Sequence, residues 1–357
     1  MTWLAWRQLR TGAAVAALGV VGLLVVLAVT GPHLHDLYDT VVAPCAAHGD
    51  CATVTAHFQG LDAALRHLSS AVLLMAPLLF GLFLGAPLVA RELEAGTYRL
   101  AWTQSVSRTR WIATRLCLVA LVSAILVALL TTAITWWLRP FDLVTAGRWF
   151  SFDQRDVVPV AYVVFAVALG ALLGAVARRT LVAMAGTIAG YAVARYLVAA
   201  FVRPYLFGPR RASLPELFQV TATGSSAQVG PPQPNDWVVS NQIVTGAGRV
   251  VGQSGGIGPN GDLGFFDVSR HGTAVFVGVG RCPNRIPITS GAGHSQDSAV
   301  TRAALQRCVD SFHLHQVVAY QPPSRYWPLQ WSEAAIFVAL AVALGAACVW
   351  VVRRRLP

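Results

Sequence analysis

The sequence predicts an all-α polytopic membrane protein with six transmembrane helices and a small α+β extracytoplasmic domain between helices 5 and 6. Hydrophobic residues make up 55% of the 357 residues and charged residues only 12%, a balance unlike that of soluble proteins. Six apolar runs are each long enough to cross a hydrocarbon core of about 30 Å as a helix. They are residues 12–31, 71–90, 116–138, 157–176, 180–202 and 334–352.

These runs divide the chain into three regions. Residues 1–202 form a membrane domain, residues 203–331 an extracytoplasmic domain, and residues 332–357 a sixth span with a basic tail. Before the first run, Trp3 and Trp6 with two arginines are typical of an interfacial anchor. A signal peptide is the alternative, but its apolar region has only about 7–15 residues. We therefore expect an uncleaved first span.

The distribution of charge predicts the orientation of the chain. With the spans counted in order, one side holds twelve arginines and two glutamates, and the other holds fifteen arginines and fourteen carboxylates. Positive charge accumulates on the cytoplasmic side of membrane proteins. We expect a multi-pass protein of the cell (plasma) membrane with both termini in the cytoplasm. The net charge of +11 then reflects orientation and anionic lipid, and no nucleic-acid partner is expected.

Several kinds of chemistry are excluded or disfavoured. The sequence contains no lysine, which excludes a GxxxxGK[ST] phosphate loop and a Schiff-base lysine. Any ATP would have to be bound by another chain. The six runs contain no Asp or Glu, and only the fifth contains a charge, Arg195. Proton-coupled transport is therefore not favoured, while backbone-coordinated Na⁺ stays open.

Cysteines and histidines cluster outside the membrane. Cys45 and Cys51 lie in the first outer loop, and a disulfide is favoured there, with a metal site as the alternative. Five of the nine histidines lie in the same loop, but solvated neutral histidine is more common than a ligand. No metal site is predicted. Cys282 and Cys308 form a second candidate disulfide in the outer domain.

Arg195 lies about two-thirds of the way along the fifth run. One interpretation is that its guanidinium snorkels toward the outer headgroups beside Tyr196 and Tyr205. The other interpretation is that it contacts an anionic substrate or lipid group. The sequence leaves both open.

The region between the fifth and sixth runs is rich in Gly, Pro and Ser. Residues 237–244 and 273–278 have the composition of strands, and residues 298–314 predict one helix. The Gly-rich residues 245–264 are interpreted as a mobile loop. This mixture predicts a small α+β domain.

Residues 91–115, which we call the elbow, join the second and third spans. The second helix is expected to continue into the elbow and to end near Gly96, and Ser107 is a candidate N-cap for the third helix. A short amphipathic helix is expected between them. Glu92 and Glu94 are the only carboxylates on a side with twelve arginines. This favours a contact surface for a cytoplasmic partner over an ordinary basic loop.

At the elbow the sequence resembles a known family. Residues 90–111, ARELEAGTYRLAWTQSVSRTRW, are similar to the cytoplasmic signature of ABC-2-type transporter permeases. In that family E-x-E-x-G-T precedes a P/S-x-S-R segment between spans two and three. The six-span layout, the start Trp6-Arg7-Gln8 and the ending from Tyr320 to Glu333 also resemble it. The similarity is greatest to an actinobacterial subgroup with a large extracytoplasmic domain before the last span.

The resemblance implies the permease subunit of an ATP-binding-cassette exporter for a drug, lipid or peptide. It implies no catalytic residue and no cofactor in this chain, with ATP and Mg²⁺ held by a separate ATPase subunit. A second permease subunit, identical in a homodimer, and the lipid membrane are the other implied partners. Ser105 and Arg115 replace the family's frequent proline and lysine. The elbow would contain the coupling helix, and the residues that match the docking pattern are Glu92, Glu94, Gly96, Thr97, Ser107 and Arg108.

Two other functions stay open. A membrane sensor or scaffold would bind a ligand at the outer domain and signal through the elbow to a cytoplasmic partner. A membrane-embedded enzyme is the third hypothesis, although no catalytic constellation supports it. Binding of an ATPase at the elbow would distinguish the first hypothesis from these two.

Alkylation without reductant tests the cysteine assignment. If both predicted disulfides form, only the two cysteines within spans, Cys117 and Cys348, should be modified in the unfolded chain. The measurement is the intact mass of the alkylated protein. Four or more modified cysteines would show that a predicted disulfide is absent.

Overall fold

The computed structural model describes most of the chain, and the chain divides into two compact units. The first consists of Met1–Leu206 with Tyr326–Pro357, and the second consists of Phe207–Arg325. The described residues are 2–46, 51–95, 107–144, 148–215, 218–221, 224–227, 235–252, 254–257, 262–268, 274–281, 311, 313 and 315–355.

Among the described residues, six helices are long and apolar enough to cross a membrane, and each overlaps one of the predicted runs. The helices extend beyond most of the runs because they continue through polar residues at their ends. The predicted fold class is confirmed. We call the six helices spans 1 to 6, with the bounds Gly12–Cys45, Ala63–Glu94, Thr109–Val144, Val158–Ala177, Thr180–Leu206 and Pro323–Arg354.

Three of the spans contain a π turn. These turns are Tyr38–Val42 in span 1, Gly81–Gly85 in span 2 and Val198–Val202 in span 5. A π turn takes in one more residue than an α turn, so it rotates the residues that follow it. The α-helices are Thr2–Leu37, Ala43–Ala46, Ala52–Gly60, Ala63–Phe80, Pro87–Glu94, Arg108–Val144, Val158–Ala177, Thr180–Leu197, Arg203–Leu206 and Tyr326–Arg355, and 3₁₀ turns occupy Arg148–Gln154 and Pro323–Arg325.

Span 4 lies at the centre of the bundle. In its most apolar window 61% of the residues are buried, against 17% in span 1 and 22% in span 5. It packs against spans 2, 3, 5 and 6. Its Val163 and Val167 belong to a core cluster that also includes Ile112 and Val352. Spans 1 and 5 instead leave wide apolar faces exposed.

Spans 2 and 4 approach each other through glycines. Gly81 and Gly85 on span 2 lie against the backbone of Ala166 and Val167 on span 4. On span 4, Gly170 lies against Gly81 and Gly85, and Gly174 lies against Ala86 and Ala90. Both glycine pairs, 81/85 and 170/174, have G-x-x-x-G spacing. A Cβ added at Gly170 would lie 2.6 Å from the carbonyl oxygen of Gly81. Glycine therefore permits this close backbone contact, as small residues commonly do between membrane helices.

A second core cluster joins spans 1 and 3 near the segment between spans 1 and 2. Leu34 and Phe58 pack there with Trp137 and Phe141. The Trp137 indole Nε1 donates a hydrogen bond of 2.9 Å to Thr30 Oγ1. The single polar group of this buried ring is therefore satisfied inside the bundle.

The second unit contains nine described strands, all paired antiparallel. They form sheets in the orders β1-β9-β4-β5, β2-β3 and β6-β7-β8. Their bounds, from β1 to β9, are Arg210–Pro215, Phe218–Thr221, Gly224–Ala227, Trp237–Val244, Val250–Gly252, Ser254–Ile257, Asp262–Val268, Ala274–Arg281 and His315–Gln321.

The sequence predicted part of this unit correctly. The predicted strand 237–244 is β4, and the predicted strand 273–278 overlaps β8. The loop interpretation of residues 245–264 is wrong in part, because β5, β6 and the start of β7 lie there. Glycine is depleted in strands, so its abundance concealed them. Most of the predicted helix 298–314 lies outside the described residues.

Leucine in place of Gly170 should lower the thermal midpoint of unfolding, because its Cβ has no room between two backbones. Overpacking of this kind costs about 1–3 kcal/mol, occasionally more. Gly22→Leu on span 1 is the matched control, since nothing lies within 4 Å of a Cβ added there. Thermal unfolding in detergent measures both variants. Equal midpoints would contradict the proposed packing of spans 2 and 4.

Candidate functional site

Linked charged side chains lie at the two ends of the helical bundle, and the elbow lies at one of these ends. Span 2 ends at Glu94, and the helix of span 3 begins at Arg108. Ser107 Oγ accepts a hydrogen bond of 3.3 Å from the backbone N–H of Arg110, so the predicted N-cap is confirmed. The predicted docking residues Gly96 and Thr97 lie outside the described residues, as does the side chain of Arg108.

Glu92 contacts its own chain at the elbow end. Its Oε1 accepts a hydrogen bond of 2.5 Å from Arg115 Nη1, and the two side chains are only 16% and 9% exposed. The Arg115 guanidinium also lies 4.3 Å from the centre of the Trp111 ring. This half-buried ion pair joins the end of span 2 to the start of span 3.

Glu94 joins span 2 to span 5. Its two carboxylate oxygens accept hydrogen bonds from the backbone N–H of Thr180 at 2.9 Å and from its hydroxyl at 2.7 Å. Thr180 is the first residue of the span 5 helix, and the preceding Arg179 provides no side-chain cap. Glu94 therefore caps this helix from another span, where the helix dipole favours a negative charge. The ends of spans 2, 3 and 5 are thus linked by two carboxylates.

A charged cluster at the opposite end of the bundle was missed by sequence reasoning. We call it the Arg203 cluster, and its members are Asp153, Tyr162, Arg195, Arg203 and Glu333. Arg203 Nε and Nη2 donate to the two carboxylate oxygens of Glu333 over 2.6 and 2.8 Å. The same guanidinium also donates to both carboxylate oxygens of Asp153. Paired, bidentate contacts of this kind are what a buried arginine requires.

Tyr162 lies between the two carboxylates. Its hydroxyl is 2.5 Å from Glu333 Oε1 and 3.0 Å from Asp153 Oδ1. A hydroxyl has a single proton, so it can donate to only one of them at a time. Burial alone would raise the pKa of Asp153, but the charges of Arg203 and Arg195 outweigh it and lower the pKa below its ordinary value. Asp153 therefore remains a carboxylate at neutral pH.

Glu333 is a carboxylate within span 6, although the predicted apolar runs contained none. It lies in the helix of span 6, just before the predicted apolar run, and its side chain is 2% exposed. The predicted run began one residue too late to include it. The signal that could have found it is the isolated Glu within an otherwise aromatic and apolar ending of the sequence.

Arg195 also belongs to this cluster. Its guanidinium lies 4.0 Å from the centre of the Tyr162 ring, and its Nη2 is 3.5 Å from Asp153 Oδ1. Its Nη1 donates to the Tyr191 hydroxyl over 3.3 Å, and the side chain is 14% exposed. These contacts account for its position without snorkelling to headgroups. A contact with an anionic substrate or lipid stays a prediction.

Polar contacts around residues 148–156 complete this end of the bundle. The fully buried Arg155 donates to Asp142 Oδ1 over 2.6 Å, and the Tyr326 hydroxyl donates to Asp156 over 2.6 Å. Gln330 Oε1 accepts a 3.1 Å hydrogen bond from the backbone N–H of Val158, the first residue of span 4. The segment between spans 3 and 4 is therefore held against spans 3, 4 and 6.

The predicted disulfide Cys45–Cys51 is present, with a Cα–Cα distance of 5.9 Å. Cys282 and Cys308 lie outside the described residues, so their pairing stays a prediction. Cys117 and Cys348 are free thiols. Within the described part of the chain, no three His, Cys, Asp or Glu side chains are placed to hold a metal ion.

One sequence pattern associated with hydrolases occurs in the second unit. Residues 252–256 have the spacing G-x-S-x-G. In hydrolases this motif joins a strand to a helix, whereas here Gly252 ends β5 and Ser254 begins β6. The pattern therefore gives no support for a catalytic serine.

Six apolar spans in the described part of the chain, with linked charges at both ends, define a multi-pass integral membrane protein. Residues 15–203, more than half of the chain, match the model of the family described as ABC-2 membrane transporter related, and the chain belongs to that family. The predicted family is thereby confirmed, while the actinobacterial subgroup stays a prediction. Comparisons with curated proteins and with solved structures gave no match.

Removal of Arg203 should destabilise the bundle strongly, because Asp153 and Glu333 would lose their main counter-charge. Breaking a buried ion pair costs about 3–5 kcal/mol. In a double-mutant cycle with Arg203→Leu and Glu333→Leu, the double variant should lose less stability than the sum of the two single variants. Thermal unfolding in detergent provides the values.

Arg148→Leu is the control for this cycle. Arg148 is 41% exposed and lies 3.9 Å from its nearest carboxylate oxygen, so its loss should cost only about 0–1 kcal/mol. Additive effects of Arg203→Leu and Glu333→Leu would contradict a direct pairing between them.

Proposed function

We propose that this chain is the membrane-spanning permease subunit of an ATP-binding-cassette exporter. A separate ATPase subunit binds ATP and Mg²⁺ and drives export of a drug, lipid or peptide through the membrane domain. The observation that carries this proposal is the family match over residues 15–203, which includes most of spans 1 and 5, all of spans 2 to 4 and the whole elbow. The absence of lysine agrees with it, since ATP must then be bound by another chain.

The elbow is the proposed docking site for the ATPase, through Glu92, Glu94, Gly96, Thr97, Ser107 and Arg108. Glu92 is largely covered by Arg115, so its role is to hold spans 2 and 3 together behind the docking surface. Glu94 is exposed and can meet the ATPase directly. Since the two glutamates link spans 2, 3 and 5, force applied to the elbow moves all three spans.

The remaining parts of the proposal concern orientation and assembly. The elbow end faces the cytoplasm, as its excess of arginine favours, and the protein lies in the plasma membrane with both termini inside. Two copies form the pathway between them. Spans 1 and 5, with only 17% and 22% of their apolar windows buried, supply apolar faces for the second subunit and for lipid.

A membrane sensor or scaffold is the second candidate. The observation that favours it is the separate compact unit Phe207–Arg325, which is large enough to bind a ligand of its own. Binding of a ligand by the full chain, without an associated ATPase, would support this function over export.

Purification in mild detergent from the native host tests the proposed function. Mass spectrometry should find a P-loop ATPase in stoichiometric amount with the wild-type chain. The Glu92→Ala/Glu94→Ala variant should lose most of it, because the docking surface loses the exposed Glu94 carboxylate and the Glu92–Arg115 ion pair that holds spans 2 and 3 together behind it.

Thr180→Val is the matched control. It removes the hydroxyl that donates to Glu94 but leaves both carboxylates in place. ATPase binding that survives Thr180→Val but not the double alanine change would support direct docking by Glu94. An ATPase retained in full by the double variant would contradict the docking site.

A further inference from the structure

The π turn in span 5 lies between the two arginines of the Arg203 cluster. Arg195 and Arg203 are eight residues apart, and residues Val198–Val202 separate them. The backbone N–H of Arg203 donates to the carbonyl oxygen of Val198, five residues earlier, instead of following the four-residue pattern of an α-helix.

This turn places both arginines on one face of the helix. In a continuous α-helix, residues eight apart point about 80° away from each other. A π turn absorbs one residue, so the spacing becomes equivalent to seven residues and the angle falls to about 20°. Both guanidinium groups consequently reach Asp153. Without the π turn, only one of them would point toward the carboxylates.

The ion pairs of Arg203 and the π-helical register of span 5 stabilise each other. Arg203 is 9% exposed and Glu333 only 2%, so each requires the other. π turns are rare because an α-helix satisfies the backbone more favourably. The ion pairs therefore stabilise a backbone conformation that the apolar sequence Val-Ala-Ala-Phe-Val would not otherwise favour.

We propose that the π turn at Val198–Val202 is a register switch controlled by the Arg203 cluster. When Arg203 is paired with Asp153 and Glu333, the turn is π-helical and spans 4, 5 and 6 are held together. When the pairing opens, the turn relaxes to α-helix and rotates Arg203–Leu206 by about 100°. Its role in transport rests on the proposed function, since it requires force from the elbow to reach span 5 through Glu94 and Thr180.

Hydrogen-exchange mass spectrometry on the full chain in lipid nanodiscs tests the switch. Glu333→Gln removes one charge from the cluster and should raise exchange of the amides in residues 198–206 about tenfold through local opening. In a chain with Ala199 deleted, the turn is already α-helical with the arginines seven residues apart. There Glu333→Gln should raise exchange less than about twofold. Ala199→Val, which keeps the chain length, is the matched control and should behave like the wild type.

If Glu333→Gln raised amide exchange equally in the full-length and the shortened chain, the proposal would be overturned. The loss of the ion pair, which occurs in both chains, would then explain the effect without a change of helical register. If Glu333→Gln does not fold, Asp153→Asn supplies the same comparison at a more exposed carboxylate, 29% exposed. Failure of the shortened chain to fold while Ala199→Val folds would also overturn it, since the α-helical state would then be inaccessible.

A second arm separates this proposal from the proposed function. In the complex with its ATPase, trapping with ATP, Mg²⁺ and vanadate should change exchange of residues 198–206 in the wild type but not in the shortened chain. If no ATPase associates, the proposed export function is wrong. The exchange comparison in nanodiscs still tests the register switch, because it does not require the ATPase. If trapping acts equally on both chains, the switch has no role in coupling.

Discussion

Pairing of charges at the two ends of the helical bundle is the constraint on which the rest of the structure depends. Lipid offers no partners for polar groups, so charged side chains near the spans must find them within the protein. At the elbow end, Glu92 and Glu94 connect spans 2, 3 and 5. At the other end, Arg203 and Glu333 join spans 5 and 6 around Tyr162 of span 4. Between the two ends, apolar side chains and glycines pack the spans against one another.

Span 5 makes polar contacts at both charged ends of the bundle. Thr180 at its start contacts Glu94, and Arg195 and Arg203 near its end contact the carboxylates of the opposite cluster. Only 22% of its apolar window is buried, so its displacement disturbs little packing. A helix that is held at its ends and loosely packed between them is suited to carry movement across the membrane. This arrangement gives the proposed coupling a physical route that the elbow alone would not provide.

The sequence predicted the spans, the N-cap at Ser107 and the strand 237–244, because each is encoded by neighbouring residues. It did not predict the Arg203 cluster, since Arg203 and Glu333 are 130 residues apart and no local pattern relates them. The π turns have no sequence signal either. The prediction that Glu92 and Glu94 form a contact surface for a partner did not include their contacts with Arg115 and Thr180, because counting charges on one side of a membrane does not reveal partners on adjacent helices.

Single-particle electron cryomicroscopy of the complex purified from native membranes would show where on this chain the ATPase binds. We predict a P-loop ATPase bound to the elbow, at the end of the bundle that carries Glu94 and Thr180, with the Glu92–Arg115 pair intact behind it. A particle in which the ATPase contacts other residues and leaves the elbow exposed would show that the elbow is not the docking site.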